Sequence, residues 1–434
     1  MKLGTFTVDF TPPLGSPIFL GTPSDPRAEG VRDPLLLRGF VLQDSSRRYL
    51  IASLDYCGLM NSAQDELLTC LGKATDTPKD QVLVHCVHQH DAPLIDFEIE
   101  PYLGIKTFPH DCWMGFLKKA AESARKCLGK MKEISAIGHS ETRICGYASN
   151  RRIIGEDGML SAMRWSRCGD AKLRSLPTGI IDPILRSLAF KGSSGRILGS
   201  MSFYATHPQV SNGRKLYSAD APGEALRIVS SGSAASGLHA FFTGAGGNVT
   251  AGKYSSPEKL EENLSHFGKL LADGIKRNLS SLEWEKPGCL DWKIISFRFP
   301  RKKIDVKALQ ALLDDSSAPN PQRLVSAVIL SAYKYKPNRN YRATLIKTGG
   351  CRLLFLPGEP FVEYQLWAQS LVPDEFLAVI GNCGNNFVYL PTKQAIAQGG
   401  YEPGFSCCSK AFEARFKKNI APAINDTGTQ NGQP

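Results

Sequence analysis

Residues 82–93, VLVHCVHQHDAP, constrain this chain more than any other stretch. The apolar, β-branched run Val82-Leu83-Val84 reads as a buried strand, and Asp91-Ala92-Pro93 stops it. Side chains two apart on a strand share a face, so His88 and His90 are expected to look the same way. Neutral imidazole is the commonest metal ligand and the side chain that titrates nearest neutrality. A core strand that ends in two of them points to a metal or acid–base site. Alone, the pair serves as well for two hydrogen-bonded structural histidines, so the partners elsewhere decide.

Two further apolar strands end in strong ligand types. Ser202–Ala205 leads into Thr206-His207-Pro208, and Arg352–Leu356 leads into Pro357-Gly358-Glu359-Pro360. Two histidines and a carboxylate leave an open position for water on zinc. Such a water loses its proton near neutral pH and becomes a usable nucleophile. His90 then has a role beside the ligands, either supporting them or shuttling a proton. The strand Tyr49–Leu54 delivers Asp55 at its end, another position where catalytic side chains often sit. Asp220 reads as a helix N-cap. The turn Thr243-Gly244-Ala245-Gly246-Gly247-Asn248 lets backbone approach a ligand and can offer N–H groups to an oxyanion. It is not a phosphate-binding P-loop, because no Lys-Ser/Thr follows its last glycine.

Strands and helices are interspersed along all 434 residues, without repeat or low-complexity linker. With 42% hydrophobic residues a large core forms, and the expected fold is mixed α/β: one large domain over 1–420 with mixed sheets flanked by helices, and a frayed tail over 421–434. The net charge of +11 is spread over runs such as Arg301 to Lys307 and Lys334 to Arg342. With no aromatic-interleaved basic stripe, a nucleic-acid groove is not expected. Twelve cysteines without a CxxC pair argue against a cysteine zinc site. Cys57, Cys86, Cys145 and Cys351 lie in apolar contexts that suit small core residues, which favours a reducing compartment. No apolar leader and no run of about 18 apolar residues is seen, so the expectation is a cytoplasmic protein without a membrane span. The Gly/Pro-rich segment Leu14–Asp33 is long enough for a site lid. Tyr147–Ile154 reads as a loop with an exposed arginine pair, and 399–404 as a flexible loop.

The ordered series of motifs resembles the catalytic domain of the neutral/alkaline, non-lysosomal ceramidases. It runs through Asp9-Phe10-Thr11-Pro12-Pro13, His88–His90, Asn150-Arg151, Thr206-His207, Ser218–Asp220, Gly247–Thr250, Pro357–Glu359, Tyr389–Thr392 and Gly400–Glu402. The resemblance implies that His88, His207, Glu359 and Tyr389 are zinc ligands. It implies too that His90, Arg151 and Tyr401 hold the scissile amide and the developing oxyanion. Thr250 falls where that family has a serine, and its hydroxyl can still position a substrate. The chain departs from the family in reading Asp91-Ala92-Pro93 after HxH, and neither a secretion signal nor a C-terminal immunoglobulin-like domain is expected.

The expected activity is zinc-dependent hydrolysis of an N-acyl amide, in a small or lipid-like substrate, by metal-activated water. The alternatives are hydrolysis of an ester or acetylated sugar, and a relative that binds without turnover.

Overall fold

The computed structural model describes residues 1–19, 27–45, 47–232, 237–318, 320–384 and 387–426. Two sheets form its centre. The larger runs in the order Leu238–Thr243, Ile197–Tyr204, Ile184–Gly192, Lys132–Arg143, Lys2–Asp9, Leu36–Asp44, Arg47–Leu54 and Val82–Cys86, with Glu283–Glu285 alongside Lys132–Arg143. The smaller runs Asp291–Arg298, Asn340–Thr348, Cys351–Phe355 and Phe376–Ile380. Phe40, Phe203 and Phe242 of the first sheet pack with Ile346, Leu353 and Phe355 of the second in one apolar layer. Helices Asn61–Thr75 and His110–Leu128 cover one part of the larger sheet, and Asp220–Ser230 with Leu260–Ser280 cover another. Asn320–Lys334 and Phe412–Asn425 cover the smaller sheet through Leu330, Phe412 and Phe416. The result is helix, sheet, sheet, helix, the mixed α/β architecture expected.

Most neighbouring strands are antiparallel, but three pairs in the two sheets are parallel: Arg47–Leu54 with Val82–Cys86, Ile197–Tyr204 with Leu238–Thr243, and Cys351–Phe355 with Phe376–Ile380. Parallel neighbours need a crossover, and each pair has a helix between its strands. In α/β sheets the carboxyl ends of such strands are where ligand-binding loops gather. His88, His207 and Glu359 each follow one of these six strands.

The edge strands of the larger sheet meet through side chains. The Thr243 N–H donates to His85 Nε2 at 2.9 Å, and the Thr243 hydroxyl to the Val87 carbonyl at 2.6 Å. Burial, helped by the nearby His88, pushes His85 down to about 3, so this imidazole stays neutral and accepts. The unfolded chain takes up a proton at His85 near 6.5, whereas the folded chain does so only near 3. This contribution to stability is therefore whole above pH 6.5 and is lost as pH falls toward 3. His85→Gln is expected to flatten that acid limb by a few kcal/mol, measured by urea unfolding across the window.

Several sequence expectations are corrected. Asp55 is no catalytic strand-end group: it is buried and ion-paired with Arg38 at 2.7 Å. Cys57, Cys86 and Cys351 are buried as expected, but Cys145 is exposed. The helix Phe412–Asn425 runs through the supposed start of the frayed tail, with Ala423 and Ile424 in the core. Residues 427–434 lie outside the described residues. So do 20–26 of the supposed lid, whose described part brings Phe19 against His90, ring centroids 4.9 Å apart.

Candidate metal centre

The strand carrying the HxH motif ends at Cys86, before either histidine of the motif and four residues short of His90. His88 has φ +74, a left-handed conformation that costs a non-glycine residue about 1–3 kcal/mol. The two imidazoles therefore do not share a strand face. They meet edge-on, 5.3 Å apart at 86°, and turn to different partners.

His88 turns toward Glu359. Its Nδ1 lies 2.6 Å from the Cys57 carbonyl, to which it donates, so Nε2 faces Glu359 Oε2 at 3.3 Å. His207 repeats the arrangement. Its Nδ1 donates to the carbonyls of Gly246 (2.7 Å) and Val249 (3.2 Å), and its Nε2 lies 3.3 Å from the same Oε2. Backbone carbonyls behind a histidine fix its tautomer and orient it for a metal. His207 Nε2 and Glu359 Oε2 are both fully buried without a hydrogen-bond partner among the described residues. Two imidazole nitrogens and a carboxylate converging at 3.3 Å need a shared cation, which in the metal-free chain is the proton on His88 Nε2 and on metal binding the ion that displaces it. Tetrahedral bonds of about 2.0–2.2 Å separate ligand atoms by about 3.3–3.6 Å, and the observed 3.3 Å fits.

The electrostatics of the metal-free chain follow from the same convergence. Burial alone would make Glu359 harder to ionise, but His88 and His207 hold its carboxyl well below the ordinary range. Burial opposes a charge on His88, and Glu359 overrides it, holding this imidazole well above its usual value. Burial lowers His207 and His90. A second trio, Cys57, His88 and His90, also gathers, but its thiol is nearest His88 Nδ1 (3.8 Å), the nitrogen already donating to Cys57.

Tyr389 arrives by a route invisible in sequence. Glu359–Pro360 and Tyr389–Leu390 form a two-stranded parallel ladder in which Glu359 and Tyr389 are direct partners. The Tyr389 ring lies 6.3 Å from that of His207 and 5.2 Å from the Arg151 guanidinium. Burial raises its phenol well above 10, and burial with the Glu359 charge pushes Tyr401 up to about 12. Both phenols keep their protons at neutral pH and are donors.

The expectation of an exposed arginine pair fails. Arg151 and Arg152 are buried, because Glu402, itself 0% exposed, accepts from Arg151 Nε at 2.8 Å and from Arg152 at 2.7 Å. Arg151 also donates to the Gly247 carbonyl at 2.8 Å and sits among the rings of Trp165, Tyr389 and Tyr401. The supposed flexible loop after Gly400 is a short helix, Tyr401–Gly404, that holds Glu402 inside and leaves Tyr401 half exposed at the rim.

Other positions take other parts. His90 is engaged at Nε2 by the Gln209 amide, whose oxygen accepts from Ser166. Thr250 is buried, its hydroxyl donating to the Arg164 carbonyl and accepting from the Gly252 N–H. Asp220 opens its helix with φ +49, and its carboxylate accepts from the backbone of Val210 and Ser211, fixing the loop behind His207.

The glycine turn offers no free N–H row to an oxyanion. The N–H groups of Gly244, Ala245 and Gly247 go to Tyr204, Gln365 and Pro360. Its glycines serve close packing instead: a Cβ on Gly247 would sit 2.5 Å from the Glu359 carbonyl oxygen. Gly247→Ala must displace the Glu359 strand, and is expected to weaken metal retention by roughly 10–100-fold, measured by chelator competition.

No family model matches the chain, and no curated protein matches its sequence. Solved structures do. The neutral ceramidase of Pseudomonas aeruginosa superimposes with a TM-score of 0.73 at 17% identity, over 98% of this chain and 74% of that one. The fold is that of a neutral ceramidase. A ceramidase in complex with C2 superimposes with a TM-score of 0.74 at 16% identity, over 100% of this chain and 77% of that one. The neutral-ceramidase-like fold accounts for the paired sheets and for their helical layers.

Sequence reasoning missed Glu402, Gln209 and the carbonyls of Cys57 and Gly246. Glu402 stands in the Gly400–Glu402 motif, but its partners lie 250 residues away and nothing local announces them. Among the described residues no helix is long and apolar enough to cross a membrane.

Proposed function

We propose that this protein is a zinc-dependent hydrolase that cleaves an N-acyl amide bond in a lipid-like substrate. One observation carries the reading: two tautomer-fixed imidazoles and a carboxylate converge at 3.3 Å, with unpartnered buried atoms, in a neutral-ceramidase-like fold. His88, His207 and Glu359 would hold the ion, with Tyr389 beside them. When bound, zinc supplies a water that ionises near neutral pH and a Lewis acid for the carbonyl.

The chain's own groups supply the rest. Arg151, pinned by Glu402 and Gly247, brings a fixed positive charge to the site, and the protonated Tyr389 and Tyr401 bring donors. Such preorganised donors stabilise negative charge that develops on an acyl oxygen. His90, held neutral by burial, would take a proton at the Nε2 that the Gln209 amide otherwise engages, and pass it to the leaving amine. Thr250 supports the strand pair beneath Arg151, Val249 and Thr250 facing Asn150 and Ser149.

A substrate panel tests the reading. Short- and long-chain N-acyl amines are expected to be hydrolysed faster than matched esters and acetylated sugars, and a chelator is expected to abolish that turnover. Preferential ester or deacetylation turnover, or amide turnover that survives chelation, overturns it.

A further inference from the structure

The two basic runs at 301–307 and 334–342 have no part in the metal centre, yet the fold brings them together. Arg298 ends the strand Asp291–Arg298, opposite Asn340, and Arg301 lies just beyond it. Arg339 sits in the turn after the helix Asn320–Lys334, its N–H bonded to the Lys336 carbonyl. Arg415 comes from the helix Phe412–Asn425. These four arginines, with Phe299 and Asn338, line a cleft of about 410 Å³ whose walls contain no Asp or Glu.

The neighbours that the arginines meet are rings and a carbonyl, not acids. Arg301 donates to the Tyr333 carbonyl and lies over the Tyr333 ring, and Arg339 lies over Tyr335. Nearby Asp65 is already bridged by Lys79 and Lys336, and Glu413 by Lys417. Among the described residues none of the four guanidiniums has a carboxylate partner. Burial lowers the Arg339 pKa, more than the charges around it restore. Four like charges around one cavity repel, and a multivalent anion bound among them relieves that repulsion. Guanidinium is the group whose planar fork suits phosphate oxygens in pairs.

We propose that this arginine cleft is a binding site for a phosphoryl group of at least two negative charges. The group comes either on a soluble phosphorylated compound or on a phospholipid headgroup. The site is independent of the hydrolytic reading, since none of its lining residues belongs to the metal centre.

The test uses the full-length protein with two probes. Inorganic pyrophosphate is titrated by calorimetry. Phosphatidylcholine vesicles with and without phosphatidic acid are cosedimented. The double variant Arg298→Gln/Arg415→Gln removes two exposed guanidiniums, and Lys118→Gln/Lys119→Gln removes the same charge from the remote helix His110–Leu128. Binding of either probe is expected to weaken about tenfold or more in the arginine variant and to change little in the lysine variant. Pyrophosphate binding in solution identifies a soluble ligand. Binding only to phosphatidic acid vesicles identifies a headgroup. Failure of both probes, or equal loss in both variants, overturns the site.

Discussion

Glu359→Gln is expected to strip the metal and reduce amide hydrolysis by about 10²–10⁴-fold. The substitution keeps the side chain's size and removes its charge. His88 and His207 then converge on a neutral amide, which no longer offsets a cation between buried imidazoles. The rate loss follows from the several kcal/mol that a bound ion supplies at the reacting carbonyl, each 1.4 kcal/mol being about tenfold. Metal content and kcat/KM measured on the same preparation check it, with circular dichroism to show the fold intact. A variant that keeps one zinc per chain and full turnover would remove Glu359 from the centre.

The second large effect is on stability. Glu402→Gln removes the charge that compensates Arg151 and Arg152 but keeps an acceptor oxygen, and Glu402→Ala removes both, leaving the arginines only backbone carbonyls such as those of Gly247 and Gly399. Breaking a buried ion pair from one side costs about 3–5 kcal/mol, since the remaining charge stays out of water. Denaturant unfolding of Glu402→Ala is expected to show a loss of that order, and of Glu402→Gln a smaller one. Replacing Arg152 as well, in Glu402→Gln/Arg152→Met, is expected to recover part of it by removing one stranded charge. An exposed, dispensable Glu402 would show less than about 0.5 kcal/mol in every variant.

These two effects separate what was legible in the sequence from what was not. Glu359 was legible: a carboxylate after an apolar strand, in step with His88 and His207 after two others, marks strand ends in an α/β sheet. Because apolar side chains run together in a buried strand and glycine or proline stops it, the strands that lead to these three residues could be read as well. The Arg151–Arg152 pair was not legible, because burial of a charge is decided by its partner, and Glu402 is 250 residues away in sequence. The orientation of His88 was not legible either. Period-two alternation holds only while the strand lasts, and this one gives way to a left-handed residue at His88 itself. Thr250 illustrates the same limit, its hydroxyl being taken up by Arg164 and Gly252. The helix Phe412–Asn425 was missed because its Pro422 and polar end resemble a frayed tail, while its apolar face packs under the smaller sheet.

Anomalous diffraction at the zinc edge, on crystals of protein whose metal content has been measured, tests the central claim most directly. The account predicts one ion per chain, bonded to Nε2 of His88, Nε2 of His207 and the Glu359 carboxylate, with the Tyr389 hydroxyl beside it. Metal-free protein after zinc supplementation, or an ion bound away from these three side chains, would contradict it.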